Sequence, residues 1–215
     1  MKLNLANKLT IFRIILVPIM MIIPIIDGIS GLSGSFLEVP KAFWIMNLIF
    51  IVTSITDKLD GYIARSRNQV TTFGKFLDPL ADKILVLSAL VILVEYGKIP
   101  SWIPIIVLAR EFIVSGYRLI AVEKGGKVIA ASKWGKLKTV TQMIAIIFCF
   151  LDKFEFGQFI FRVSSDVVVN SAGIYMTTVQ FAINIISTIM LIVSIIATIF
   201  SGMDYLKNGK DLLKD

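Results

Sequence analysis

The sequence contains no histidine and a single cysteine among its 215 residues. Without histidine, an imidazole cannot serve as a general base or as a metal ligand. The lone Cys149 can form neither an intrachain disulfide nor a cysteine metal cluster. Charged residues are also scarce, at 17% of the chain, against about 25% in an average soluble domain. A metal site in this protein would therefore need oxygen ligands.

Apolar residues are abundant, at 56% of the chain, and the mean hydropathy is +0.84. A helix needs about 20 mainly apolar residues to cross a bilayer, and six segments meet this requirement. The sequence therefore predicts an all-α integral membrane protein with six transmembrane helices, forming one domain over residues 1–215. The predicted spans cover about residues 9–26, 42–65, 75–96, 100–122, 133–151 and 171–201.

The lysines and arginines of the loops are concentrated on the side of the N-terminus, which predicts that both termini are cytoplasmic. The start of the chain, Met1 to Lys8, is expected to be a short amphipathic segment on the inner membrane surface. The net charge of +7 is then explained by cytoplasmic loops that face anionic lipid. Nucleic acid is not expected as a partner, because no basic segment is interleaved with aromatic residues.

Four aspartates lie at the inner ends of the second and third spans. The uncharged run of each span is too short to cross the bilayer, so each helix must continue through a pair of acids. These pairs are Asp57 with Asp60 and Asp78 with Asp82, spaced three and four residues apart, so that each pair shares a helix face. A short connection makes the two helices antiparallel neighbours. The four carboxylates are therefore expected to converge at one depth.

Four such anions need positive partners, and two interpretations remain open from the residues alone. The acids could form ion pairs with nearby basic side chains at the membrane surface. Alternatively, carboxylates without histidine or cysteine suit Mg²⁺ or Mn²⁺, and paired ions of this kind promote phosphoryl transfer. The basic side chains in question are Lys58, Lys83, Arg65 and Arg67.

The acids belong to a longer pattern, DxxDGxxARx₈GxxxDxxxD, which covers residues 57–82. This pattern resembles the defining motif of the CDP-alcohol phosphotransferase family. The resemblance implies transfer of a substituted phosphate from a CDP-linked donor to an alcohol, with release of CMP. It also implies that Asp57, Asp60 and Asp78 bind two divalent metal ions, Mg²⁺ or Mn²⁺. Asp82 would contact the second ion and accept the proton of the alcohol.

The other fixed positions of the motif are assigned to the donor nucleotide. Gly61, Ala64 and Gly74 would let the nucleotide lie against the helix backbone, since small residues leave a helix surface open. Arg65 would hold a phosphate. The alternatives are small-residue helix packing for the first three and extension of the Arg65 side chain to the membrane surface.

Basic residues outside the motif are candidates for binding an acceptor that itself carries a phosphate. Arg110 and Arg118 lie in the fourth span, and Lys133 and Lys136 lie at the start of the fifth. Guanidinium and ammonium groups donate charge-assisted hydrogen bonds to phosphate. The alternative for Arg110 is an ion pair with Glu111 or with one of the aspartates. The alternative for the lysines is ordinary cytoplasmic charge.

Three flanking segments are similar to the bacterial branch of the family that makes phosphatidylglycerol phosphate: residues 4–13, 110–118 and 134–139. The resemblance implies CDP-diacylglycerol as the donor and sn-glycerol 3-phosphate as the acceptor. It also implies a homodimer in the bacterial plasma membrane with its active site facing the cytoplasm. The alternatives are family members that make cardiolipin, phosphatidylserine or phosphatidylinositol phosphate, and, in a different class, a cation transporter. The last span carries no pattern that assigns it a role.

Overall fold

The structure is a computed structural model that describes residues 5–30, 34–66, 72–123, 133–161, 163–164, 167–169 and 175–208. Each predicted span corresponds to a helix, which confirms the prediction of a helical protein. The helices are α1 (Leu5–Ser30), α2 (Lys41–Ser66), α3 (Thr72–Glu95), α4 (Trp102–Glu123), α5 (Lys133–Leu151) and α6 (Thr178–Asn208).

Three segments within these helices are long and apolar enough to cross a membrane: Lys8–Gly28, Lys133–Leu151 and Thr178–Lys207. They belong to α1, α5 and α6. Among the described residues α2, α3 and α4 do not qualify, and α4 is interrupted by Arg110, Glu111 and Arg118. The side chains of α2 and α3 around the motif lie partly outside the described residues. A protein with membrane-spanning helices is thus supported. The full set of six spans and the cytoplasmic position of both termini remain predictions.

The two ends of the predicted topology differ in detail from the structure. Helix α1 already begins at Leu5, so the second half of the predicted amphipathic segment forms its first turn, while residues 1–4 lie outside the described residues. The last span was predicted to start at residue 171, but a strand occupies Tyr175–Thr177 and α6 begins at Thr178.

A small antiparallel sheet precedes α6. Its strands are β3 (Val163–Ser164), β4 (Val167–Val169) and β5 (Tyr175–Thr177), and they lie in the order β3, β4, β5. The three consecutive valines of β4 are β-branched residues, which favour strand over helix. For this reason the long uncharged run before α6 is not helical throughout.

A two-stranded hairpin joins α1 to α2, and the sequence did not predict it. It consists of β1 (Ser35–Phe36) and β2 (Val39–Pro40), paired in antiparallel register. The turn residues Leu37 and Glu38 both have positive φ, at 51° and 66°. Such a turn normally uses glycine or asparagine, so its sequence gives no hairpin signal.

The chain divides into two compact units, Met1–Tyr96 and Gly97–Asp215. In the first unit, α1 packs against both α2 and α3. Large side chains fill the space between these helices, and Met20, Met46, Phe50 and Leu90 are completely buried. Between membrane helices such side chains stabilise the packing through van der Waals contacts, since lipid tails are equally apolar. The prediction of one domain over residues 1–215 is not tested by this division.

In the second unit, α6 packs against α5 along most of its length and also against α4. Ile103, Ile146 and Phe150 are completely buried, and they belong to α4 and α5. Buried polar residues recur along one face of α6 at helical spacing, among its apolar residues. These polar residues are Gln180, Asn184, Ser187, Thr188, Ser194, Thr198 and Ser201.

A buried carboxylate lies where α5 ends, and we call its surroundings the Asp152 cluster: Asp152, Phe154, Asn184, Ser187 and Lys98. The carboxylate accepts hydrogen bonds from Ser187 Oγ at 2.7 Å, from Asn184 Nδ2 at 2.8 Å and from the Phe154 amide at 2.9 Å. Burial raises the pKa of Asp152, although these hydrogen bonds oppose the shift. Lys98 Nζ donates to the backbone carbonyls of Asp152 and Lys153, and burial lowers the pKa of Lys98.

Candidate active site

The four aspartates of the motif lie on two neighbouring helices of the first unit. Asp57 and Asp60 belong to α2, and Asp78 and Asp82 belong to α3. These helices contact each other directly. The side chains of Asp57 and Asp82 are described and are partly buried, whereas those of Asp60 and Asp78 lie outside the described residues. The predicted convergence of all four carboxylates therefore remains a prediction.

Asp57 has a cationic partner that the sequence did not indicate. The Nη1 atom of Arg13 donates to Asp57 Oδ1 at 2.5 Å. The Arg13 side chain is completely buried, while that of Asp57 is 33% exposed. The two residues are 44 positions apart, and Arg13 was not among the counterions considered from the sequence. Helix α1 thus supplies a positive charge at the acid site.

The donor set at this site suits a hard divalent cation. Aspartate oxygens are the ligands that Mg²⁺ and Mn²⁺ prefer, and Asp57 keeps its second oxygen, Oδ2, in addition to the one that accepts from Arg13. No group of three or more acidic or cysteine side chains forms a metal site among the residues that the structure describes. Because that description omits the side chains of Asp60 and Asp78, it does not test the predicted ligand set.

The positions predicted to bind the donor nucleotide also fall on these two helices. Gly61, Ala64 and Arg65 lie in the last turns of α2, and Gly74 lies in the first turn of α3. All four flank the connection between the helices. Their side-chain positions lie outside the described residues, so their assignment to the nucleotide stays a prediction.

The second unit contains the basic residues predicted to bind the acceptor. Arg110 on α4 makes an ion pair with its neighbour Glu111, with Nη1 to Oε1 at 2.9 Å. This is the ion pair that the sequence left open as the alternative for Arg110. The same guanidinium also donates from Nε and Nη2 to Ser201 Oγ on α6, at 3.2 and 2.6 Å. Arg110 thus ties α4 to α6.

Arg118 lies two turns further along α4 and is exposed. Its Nη2 atom donates to the hydroxyl oxygen of Tyr205 on α6 at 3.1 Å. The guanidinium carbons of Arg118 and Arg110 lie 5.8 and 6.0 Å from the centre of the Tyr205 ring. The tyrosine, which is buried, therefore contacts both arginines.

A third cation joins this group from α5. Lys138 Nζ donates to Glu111 Oε1 at 2.9 Å, and its side chain is only 9% exposed. The sequence singled out Lys133 and Lys136 instead, which are exposed in the first turn of α5. No feature of the local sequence distinguishes Lys138 from those two lysines, so its contact with Glu111 was not predicted.

A groove of about 200 Å³ runs along α4 and α6 beside Arg110. Its walls are apolar except for Arg110 and Thr198. At Gly202 an added Cβ would lie 3.7 Å from Arg110 Cγ, which is an ordinary contact distance. The groove therefore adds no further anion ligand to the basic group. It is lined by Ile106, Ala109, Arg110, Ile113, Thr198, Ile199, Gly202, Met203 and Leu206.

Comparison with known proteins gives a consistent picture. A protein of Bacillus subtilis named CDP-diacylglycerol–glycerol-3-phosphate 3-phosphatidyltransferase is 48% identical over 144 residues, covering 66% of this chain and 74% of that protein. A Haemophilus influenzae protein of the same name is 36% identical over 219 residues, covering 100% of this chain and 98% of that protein. A probable phosphatidylglycerophosphate synthase of Mycobacterium tuberculosis is 31% identical over 202 residues, covering 94% and 79%.

The family model for CDP-alcohol phosphatidyltransferases matches residues 3–203. This match includes α1 to α5, α6 as far as Met203, and both groups of charged residues described above. It confirms the family that the motif indicated. The chain belongs to the CDP-alcohol phosphatidyltransferase family.

Proposed function

We propose that this chain transfers the phosphatidyl group of CDP-diacylglycerol to sn-glycerol 3-phosphate, yielding phosphatidylglycerol phosphate and CMP. The observation that carries this proposal is the similarity to the Haemophilus influenzae protein of that name, which extends over the whole chain. The Bacillus subtilis relative supports the same substrates at higher identity. Membership in the family independently supports a CDP-linked donor.

In this proposal the acids of α2 and α3 carry out the chemical step. Asp82 accepts the proton from a hydroxyl group of the acceptor. The hydroxyl oxygen forms a bond to the phosphorus of the phosphatidyl group, in line with the bond to the CMP oxygen, which breaks. CMP leaves with the electron pair of that bond, so the atoms and charges balance.

Asp57, Asp60, Asp78 and Asp82 would hold two divalent ions, Mg²⁺ or Mn²⁺, which would offset the negative charge of the diphosphate. Arg13 has a separate part in this arrangement. Arg13 donates to Asp57 Oδ1 and thereby fixes the orientation of the carboxylate. The direction of the second oxygen, Oδ2, is fixed at the same time. Gly61, Ala64, Arg65 and Gly74 are assigned to the donor nucleotide.

The basic group of the second unit is assigned to the acceptor. Arg118 contacts a neutral phenol and no carboxylate within the described part of the chain, so its charge is available to an anion. Arg110 uses three of its five N–H groups for Ser201 and Glu111, which leaves two for a phosphate. Lys133 and Lys136 complete the proposed acceptor set. A phosphate of the acceptor suits such a group because guanidinium binds it in a forked geometry.

The cellular setting follows from the same proposal. Helices long enough to span a membrane support a membrane enzyme, and the distribution of basic residues supports an active site that faces the cytoplasm. We further propose a homodimer in the bacterial plasma membrane. The acyl chains of the donor would then remain in the bilayer while its diphosphate reaches the acids.

The test is CMP release by the purified protein from CDP-diacylglycerol in the presence of Mg²⁺ or Mn²⁺. The acceptors are glycerol 3-phosphate, phosphatidylglycerol, serine and inositol phosphate, each supplied alone, with Asp82→Asn protein as the blank. We expect release only with glycerol 3-phosphate. Release with another acceptor would reassign the chain within its family, whereas ion flux in liposomes without any CMP release would indicate a transporter.

A further inference from the structure

We infer that Ser201 and Tyr205 of α6 are positioning residues for the acceptor phosphate, because they orient the guanidinium groups of Arg110 and Arg118. The inference rests on the proposed function and extends it to the last helix. The contacts of these two residues lie entirely within the second unit, on α4 and α6.

Ser201 determines the plane of the Arg110 guanidinium. Its Oγ atom accepts from both Nε and Nη2, at 3.2 and 2.6 Å, so two N–H groups on one edge of the guanidinium converge on one oxygen. Ser201 itself is completely buried. A long arginine side chain has many rotamers, and two bonds to a fixed buried atom select few of them. The opposite edge of the guanidinium is thereby given a fixed direction.

Tyr205 has the same relation to Arg118. Its hydroxyl oxygen accepts from Arg118 Nη2 at 3.1 Å, and its ring lies beside both guanidinium groups. Tyr205 is 1% exposed, so its ring is a rigid surface. Arg118 is exposed and would otherwise move freely in water. The buried tyrosine therefore restricts an exposed cation.

The two contacts form a regular pair along the helices. Ser201 and Tyr205 are four residues apart and share one face of α6, while Arg110 and Arg118 are eight apart and share one face of α4. Arg110 contacts Ser201, and Arg118 contacts Tyr205. Both arginines are thus held from the same side.

The groups of α6 that hold the two arginines are uncharged hydroxyl oxygens. The oxygens of Ser201 and Tyr205 orient Arg110 and Arg118 without offsetting their charge. The one carboxylate in contact within the described part of the chain, Glu111, is shared between Arg110 and Lys138. Arg110, Arg118 and Lys138 have one carboxylate, Glu111, within ion-pair distance among the described residues. Two positive charges remain in excess, which matches the charge of a phosphate dianion. Helix packing alone would not require neutral oxygens at both arginines.

The experiment uses the full-length protein in detergent with three variants. Ser201→Ala and Tyr205→Phe each remove one oxygen that accepts from an arginine. Thr198→Val is the matched control, because Thr198 is a buried hydroxyl residue of α6 whose Oγ1 donates to the carbonyl of Ser194 in its own helix. For each variant, KM is measured separately for glycerol 3-phosphate and for CDP-diacylglycerol.

We expect Ser201→Ala and Tyr205→Phe each to raise the acceptor KM about tenfold, the ratio that corresponds to ~1.4 kcal/mol for a hydrogen bond to a charged group. The donor KM should stay within about twofold of wild type for both. Thr198→Val should leave both KM values near wild type. A general loss of packing would instead change the KM values of both substrates or lower the fraction of folded protein.

A double-mutant cycle shows whether Tyr205 acts through Arg118. In an Arg118→Ala background, adding Tyr205→Phe should not raise the acceptor KM further, since the guanidinium that the hydroxyl orients is gone. Independent, multiplicative effects would overturn the inference. The inference would also be overturned if Ser201→Ala and Tyr205→Phe kept the wild-type acceptor KM while Arg118→Ala raised it. That result would leave the proposed function intact. Absence of glycerol 3-phosphate-dependent CMP release by the wild type would instead refute the proposed function itself.

Discussion

The contact between Arg13 and Asp57 predicts a strong energetic coupling between α1 and the acid site. We consider Arg13→Ala, Asp57→Asn and the double variant. Arg13→Ala removes the cation that lies 2.5 Å from Asp57, and Asp57→Asn leaves a completely buried guanidinium without that carboxylate. Each single change should therefore destabilise the protein. The double variant removes both charges, and its loss in free energy of unfolding should be smaller than the sum of the losses of the two single variants.

The size of this effect follows from the burial of the two side chains. Breaking a fully buried ion pair costs about 3–5 kcal/mol. Asp57 is 33% exposed, although Arg13 is not exposed at all, so solvent screens part of the interaction. We therefore expect a coupling energy of about 2 kcal/mol between the effects of the two substitutions on the free energy of unfolding. For a chain of 215 residues, this corresponds to about 4–8 °C in Tm.

The assay is thermal unfolding in detergent, followed by tryptophan fluorescence, for the wild type and all three variants. Lys8→Ala is the matched control, because it removes a positive charge from an exposed position of α1 and should leave Tm nearly unchanged. Strictly additive Tm losses for Arg13→Ala and Asp57→Asn would refute the coupling. A Tm loss for Lys8→Ala as large as that for Arg13→Ala would show that the charge of α1 matters and the contact does not.

Three further predictions concern the chemistry and the stability. Asp57→Asn should lose CMP release but recover part of it in excess Mg²⁺ or Mn²⁺, since an amide is a weaker ligand for a hard cation. Asp82→Asn should not recover activity in excess metal. Turnover by Asp82→Asn at high metal concentration would show that Asp82 is not the base. Arg110→Ala and Arg118→Ala should raise the acceptor KM about 10- to 100-fold and leave the donor KM unchanged; a raised donor KM alone would move both residues to the diphosphate. Because burial raises the pKa of Asp152, the folded protein binds a proton more readily than the unfolded chain, so Tm should rise as the pH is lowered from 7 towards the ordinary aspartate pKa of about 3.9. That rise should be smaller in Asp152→Asn when Tm is measured across the same pH range, and an equal rise in both proteins would contradict the assignment to this carboxylate.

The sequence predicted the helices well because each depends on a local property, the length of an apolar run. It also placed the four aspartates on α2 and α3, since their spacing is local. It failed where the local signal was weak. The hairpin turn at Leu37 and Glu38 lacks the glycine or asparagine that such turns normally use. The start of the last helix was placed too early because the uncharged run continues without interruption through the strand Tyr175–Thr177 into α6.

The contacts of the site were harder to predict because they join distant parts of the chain. Arg13 reaches Asp57 across 44 positions, and Arg110 reaches Ser201 across 91. A single sequence contains no information on which side chains meet at such separations. Tyr205 was also missed. A signal for its face was present in the sequence, because Ser194, Thr198 and Ser201 precede it at spacings of four, three and four residues and so mark one face of α6.

The Asp152 cluster has a consequence for the order in which the second unit is completed during synthesis. The side chains that donate to Asp152 belong to Asn184 and Ser187, which follow it by 32 and 35 residues. A chain that grows from its N-terminus therefore makes α5 and its terminal carboxylate before either donor exists. The end of α5 can take up its final hydrogen bonds only after α6 has been synthesised and has packed beside it. Helix α6, which lies outside the family's motif, is in this sense the element that completes the unit.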